Sequence, residues 1–313
     1  MTAPGTASWL SVAERGSILG MRFVVWCYRL LGRRFCQLLI LPVVLYFFLT
    51  DRRGRRASLR YLRRLHARPG GAEALGHRPT WWDSFLHYRE YGLSILDRVG
   101  FWLGRDDDCT IAFHDEGQFA SLKEEGRGAI ILGAHLGSFD ALRVLARRGR
   151  IIVNVVMFIE HARMINSIFH SLDRDASVRM IQLDPTSINS VFAIKACIER
   201  GEFVALLGDR VGIGDDKRTG QVEFLGDRAA LPHGPFFLAS LLKCPMIFMV
   251  ALRVGDGRYE AFAERIAERV VVAGPEDLDA LAGDYARRLE RYCLMAPYQW
   301  FNFYDYWADE AGK

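Results

Sequence analysis

The chain has 313 residues, half of them apolar, which is enough for a sizeable core in one α/β unit. Its net charge of +4 is too modest to indicate a nucleic-acid partner. Six cysteines, Cys27, Cys36, Cys109, Cys197, Cys244 and Cys293, are scattered without a C-x-x-C pair, which argues against a zinc site or disulfide framework and suits a reducing cytoplasm.

The first distinctive segment is "FCQLLILPVVLYFFL", residues 35–49, a charge-free apolar run. It is shorter than the roughly 20 residues of a spanning helix. It starts late for a signal peptide and ends in "TDRRGRR" without a small-residue cleavage site. Two readings remain. One is a buried helix of a soluble core. The other is a membrane anchor, spanning or lying in the interface, with arginines snorkelling at its ends. The basic run "RRGRRASLRYLRRLHAR", residues 52–68, favours the anchor, because such charges stay cytoplasmic and attract anionic headgroups. The expected organisation is an anchor over residues 1–50 and a working domain over 51–313.

Residues 81–104 carry Phe85, Tyr88, Gly92, Ile95 and Leu96 at steps of mostly three and four, which predicts an amphipathic helix. Strands and helices then alternate. "AIIL" (129–132) reads as a short buried strand. Ser138 can cap a helix that Gly149 ends. Further strands are expected at 151–158, 178–183 and 202–208, and helices at 161–172 and 187–201. "DRVGIGDDKRTGQ" (209–221) is a polar, Gly-rich loop. Pro235 starts another helix. "PMIFMVALRV" and "RYEAFAERI" should pair around Gly255–Gly257. A helix at roughly 276–295 and an aromatic tail close the chain. This alternation predicts an α/β fold with a mostly parallel central sheet flanked by helices.

In such sheets, ligands bind beyond the carboxyl ends of strands. "GAHLGSFDAL" places His135 just past the first confident strand, and Asp140 in the first turn of the next helix. A fold-back through "HLGS", permitted by Gly137, would bring the carboxylate to one imidazole nitrogen. The other nitrogen could then take a proton from an alcohol or amine. There is no G-x-S-x-G elbow, so an acyl-serine is not indicated. A helix-capping histidine with a solvated aspartate is the simpler alternative. Asp-x-Asp pairs within "DDD" (106–108) and "DRD" (173–175) allow a rival, a metal-dependent glycosyltransferase. A second rival is a non-catalytic scaffold that lies on a membrane through the basic run.

Five segments in order bear on the choice: "AHLGSFD", "EHARMIN", "LLGDRVG", "LPHGPFFLASLLKCP" and "APYQWFNFYDYW". Over roughly residues 15–307 they resemble the lysophospholipid acyltransferase superfamily, most of all its lipid A biosynthesis branch. Two departures are Ala134, where an Asn often precedes the histidine, and Asp140, where many lipid A enzymes have Glu. The resemblance implies His135 as base with Asp140 as its partner. It also implies substrate contacts at Arg163, Asp209 and Arg210. Loop amides at Gly137 and Ser138 are candidate oxyanion donors. His233 is a candidate lining residue. The implied reaction moves a fatty acyl chain from an acyl carrier protein or CoA thioester to a hydroxyl or amine of a membrane lipid or glycolipid. It requires no cofactor or metal, and it belongs at the cytoplasmic face of a bacterial inner membrane.

Overall fold

The computed structural model describes residues 18–115, 117–158, 178–183, 189–212 and 218–307. Strand β2 (Ile130–Gly133) is buried along its whole length and lies between β5 (Phe203–Leu207) and β8 (Met246–Gly255), parallel to both. β5 is followed outward by β3 (Val153–Phe158) and β4 (Val178–Leu183), again parallel. On the other side β9 (Arg258–Ala267) returns antiparallel to β8, and β1 (Thr110–Asp115) runs beside β9 at the edge. The order β1-β9-β8-β2-β5-β3-β4 is the expected mostly parallel sheet. The β8–β9 turn falls at Gly255–Gly257 as the sequence predicts.

Both faces are covered, which is why β2 reads as an uninterrupted apolar run rather than an alternating one. Ile130 and Leu132 pack with Tyr285, Leu289 and Tyr292 of the long helix Pro275–Met295. Ile131 points the other way, toward Phe119 and Leu122 of the helix Gln118–Glu124 and Ala146 of Phe139–Arg148. In chain order the helices are α1 (Ile18–Thr50), α2 (Arg52–Ala67), α3 (Gly71–Leu75), α4 (Trp81–Trp102), α5 (Gln118–Glu124), α6 (Phe139–Arg148), α7 (Asn189–Glu199), α8 (Gly234–Leu242) and α9 (Pro275–Met295). Ser138 caps α6 through its hydroxyl, which accepts from Ala141 N at 3.2 Å, and Gly149 ends it. The helix expected at 161–172 lies outside the described residues.

Two parts of the fold differ from expectation. β1 and α5 form between α4 and β2, where no element is predicted. The polar loop gives way to a hairpin, β6 (Thr219–Phe224) and β7 (Asp227–Pro232), joined by Leu225 and Gly226, both at positive φ. Alternating Val222 and Phe224 around a Gly-containing two-residue turn was the available signal.

α1 covers 33 residues as two helical segments that meet in a kink at Gly32, where φ is +76°. It lies against α4. Gly92 allows the close approach: a Cβ there would fall 2.5 Å from Val44 Cγ2. Next to the kink, Arg33 is only 10% exposed and donates through Nε to Asp97 Oδ1 of α4 at 2.8 Å, and through Nη1 to Asp256 in the β8–β9 turn. Asp97 also accepts from Tyr259 of β9. The apolar run 35–49 is therefore neither a buried core helix nor detached from the body. Cys27, Tyr28, Cys36 and Val44 pack inward, while Phe23, Trp26, Leu30, Leu38, Tyr46 and Leu49 face out.

Candidate active site

The site follows from strand register. Gly133 of β2 is opposite Leu207 of β5, so the chains leave the sheet side by side, and His135 and Asp209 each stand two residues past those paired ends. His135 Nδ1 lies 2.8 Å from Asp209 Oδ1, and the His135 backbone N–H donates to Oδ2 at 3.0 Å. Asp209 is fully buried and takes two more donors on Oδ2, Trp300 Nε1 at 3.1 Å and Asn302 Nδ2 at 2.9 Å. Burial alone would raise this carboxyl. The adjacent His135, the charge of Arg210 and the Asn302 bond outweigh it and hold the group far below the usual carboxylate range. The carboxylate is thus ionised, and Nδ1 of His135 must carry the proton that bridges them.

The imidazole itself is driven below its ordinary value. Burial is the largest cause, Asp209 opposes it, and the positive charges of Arg210 and Arg98 reinforce it. At neutral pH the ring is uncharged with its Nε2 lone pair available, and 29% of the side chain is accessible. A buried acid fixing one nitrogen of a partly accessible imidazole is the arrangement of a general base.

The segment 299–306 holds this pair in place. Leu136 and Trp300 form a β-bridge, and Phe301 N donates to His135 O at 2.7 Å. Arg210 Nε donates to Asn302 Oδ1 at 2.7 Å and its Nη2 to Phe301 O at 3.0 Å, so the guanidinium stays beside the dyad. Trp300 O accepts from Nε2 of His87, whose Nδ1 is 3.0 Å from Ser58 Oγ. His87 is fully buried, and burial pushes its pKa down to about 3, so it is a neutral prop. Sequence reasoning did not single out Trp300, Asn302, His87 or Arg98. The first two sit inside the "APYQWFNFYDYW" block, where Trp and Asn among apolar residues were the available hint.

Residues 88–308 match the family model of the bacterial lipid A biosynthesis acyltransferases. The chain belongs to that family. A comparison with curated proteins gives no match.

As an acyltransferase, the protein arranges several expected residues differently from the sequence reading. Asp140 does not meet the imidazole nitrogen assigned to it. Its oxygens are bonded by Arg98 Nε at 2.7 Å, Trp102 Nε1 at 3.0 Å and Arg143 Nη1 at 3.2 Å. The reason is the loop between them. Leu136 and Gly137 are pinned by bridges to Trp300 and Ala251, which turns the start of α6 toward α4 and away from His135 Nδ1. Gly137 (φ +71°) is required there, since a Cβ would lie 2.1 Å from Ala251 O. The amides expected to face an oxyanion are likewise engaged: Gly137 N donates to Gln299 O at 2.9 Å and Ser138 N to Ala251 O at 2.7 Å. Asp209, expected among substrate contacts, is buried behind His135. Arg210 does line the site. His233 is bonded to Asp279 of α9 at 2.9 Å. Arg163 and the "DRD" segment lie outside the described residues. Asp106 of the "DDD" run pairs with Arg147, and among the described residues no three His, Cys, Asp or Glu side chains cluster as metal ligands. An apolar crevice lined by Ala134, Leu136, Phe139, Leu142, Leu207 and Met249 adjoins the loop.

Proposed function

We propose that the protein moves a fatty acyl chain from a carrier thioester, an acyl carrier protein in preference to CoA, to a hydroxyl or amine of a lipid A-like acceptor, by direct attack with His135 as base. The observation that carries this reading is the His135–Asp209 pair beyond the paired ends of β2 and β5. Nε2 takes the acceptor's proton as its oxygen or nitrogen forms a bond to the thioester carbon. The carbon–sulfur bond breaks, and the thiolate leaves with the proton that the imidazolium returns. Asp209 stabilises the imidazolium and fixes the tautomer. Arg210, and Arg163 from its place in the sequence blocks, are the proposed cationic contacts for the developing oxyanion or a substrate phosphate. The apolar crevice beside the loop suits the acyl chain.

Residues 1–50 serve on this reading as the anchor and 51–313 as the transferase domain, at the cytoplasmic face of the inner membrane. The tie from Arg33 to Asp97 and Asp256 favours α1 lying in the interface over spanning. A spanning helix would have to abandon that largely buried ion pair and expose Tyr28 and Cys36. The outward apolar face and exposed Arg52, Arg53, Arg56 and Arg63 suit an anionic headgroup layer. The test is transfer of a radiolabelled acyl group from a carrier thioester to a lipid extract by the purified full-length protein. Labelled lipid formed by the wild type and lost in His135→Ala supports the reading. Transfer by a folded His135→Ala variant at the wild-type rate would sink it.

A further inference from the structure

Asp140 is a buried carboxylate, 4% exposed, that the proposed dyad does not use. Burial raises its carboxyl, but Arg98 and Arg143 outweigh that and keep it ionised. What it gains in return is a fixed arginine. Arg98 reaches down from α4 and donates through Nε to Asp140 Oδ2 at 2.7 Å. Among the described residues Asp140 is its one hydrogen-bond partner, so both terminal NH₂ groups remain for a ligand. The Arg98 side chain is 41% accessible, so the guanidinium is held at one edge and open at the other. That side of the fold is close to His135, because Asp140 lies in the first turn of α6, which starts directly after the His135–Ser138 loop. Two turns earlier on the same face of α4, Tyr91 packs against Phe301, whose amide donates to His135 O. α4 thus forms one wall over the base.

We propose that Arg98 binds a phosphate oxyanion of a substrate near His135 and that Asp140 is the positioning residue that holds it there, a proposal that rests on the acyltransferase reading above. A guanidinium anchored through Nε by a buried carboxylate presents its outer edge as a preset two-pronged donor, which suits a phosphate oxygen pair. Either substrate could carry that group, as the phosphodiester of a pantetheine arm on the donor or as a phosphate on the acceptor glycolipid. Asp140 thereby acts through Arg98 rather than through the imidazole. Trp102 and Arg143 hold the carboxylate from the far side.

The experiment assays the full-length protein with one acyl chain carried on coenzyme A or on N-acetylcysteamine, the same thioester without phosphate. Each is paired with a phosphorylated glycolipid and with its dephosphorylated form. Arg98→Gln is expected to raise KM about ten- to a hundredfold for the substrate whose phosphate is recognised, the worth of a charge-assisted bond pair. It should leave kcat and the phosphate-free counterpart near wild type. Arg98→Lys should recover only part of the loss. Asp140→Asn should reproduce the KM pattern with the acid limb of the pH profile unmoved. Equal KM changes with and without phosphate would overturn the proposal, as would an Asp140→Asn variant that loses kcat and shifts its pH profile as a dyad variant does. If the wild type transfers from no thioester, the acyltransferase reading fails instead. Inorganic phosphate as probe then still decides the site: its ³¹P line should broaden with wild type and not with Arg98→Gln, and equal broadening overturns it.

Discussion

His135 Nδ1 and Asp209 Oδ1 lie 2.8 Å apart although 74 positions separate them, and the parallel register of β2 with β5 is what closes that distance. The pair should behave as one unit. His135→Ala is expected to lower the acyl-transfer rate constant by about 10²–10⁴, the usual worth of a positioned base. Asp209→Asn should be comparably severe, because an amide cannot stabilise the imidazolium and imposes the wrong tautomer. The double variant should be little worse than His135→Ala. Losses that multiply in the double variant would show that the two residues act separately.

The pH profile gives a second check. Burial, with Arg210 and Arg98, holds the His135 pKa below its ordinary 6.5 against the pull of Asp209. The base is therefore already neutral at pH 7, and kcat/KM should rise along an acid limb centred below 6.5 and stay flat through neutrality. Removing the carboxylate removes a cause that raises the pKa. In Asp209→Asn the limb should move further toward acid while the plateau drops. A limb that moves toward alkali contradicts the assignment.

His87 makes the fold sensitive to acid. The unfolded chain takes up this proton near 6.5, whereas the folded protein excludes it until about pH 3. The contribution is full above pH 6.5 and is lost as pH falls through that window. Between pH 7.5 and pH 5 the loss is about 2 kcal/mol. His87→Gln, which keeps a donor for Trp300 O, should flatten the pH dependence by that amount. Denaturant midpoints at the two pH values measure it, and an unchanged slope would show that His87 is not the group excluded.

Membrane attachment should resist salt. The outward face of α1, with Trp26, Leu30, Leu38 and Leu49, buries in an interface through apolar contact that ions do not screen. Full-length protein should pellet with vesicles of anionic lipid in molar salt. Arg33→Gln should loosen α1 from α4 and raise protease cleavage near Gly32. Complete release by salt alone would rule out the apolar anchor.

Much of this architecture is legible in local pattern. The apolar run of β2, the cap at Ser138, the stop at Gly149 and the β8–β9 hairpin are each encoded within a few residues, and they form as read. The partner of His135 is not encoded locally. "HLGSFD" puts an acid within easy reach in sequence, but backbone bridges from Gly137 and Leu136 to Ala251 and Trp300 decide where that acid points. Both "AIILGAH" and "FVALLGD" place a polar residue two positions past a buried strand. That parallel would have suggested Asp209, had the two strands been known to be neighbours. Hairpin β6–β7 is not predicted because the polar loop expected at 209–221 overlaps the start of β6.

The segment around Trp300 and Asn302 has a bearing on how the enzyme is born. A growing chain exposes α1 early, while Asp209 still lacks two of its four donors and Arg210 both of its acceptors. On the proposed reading, a nascent chain would settle on its lipid surface with its chemistry unassembled, and that chemistry would switch on only after residue 302 has left the ribosome. Prematurely terminated copies would occupy membrane without transferring acyl chains.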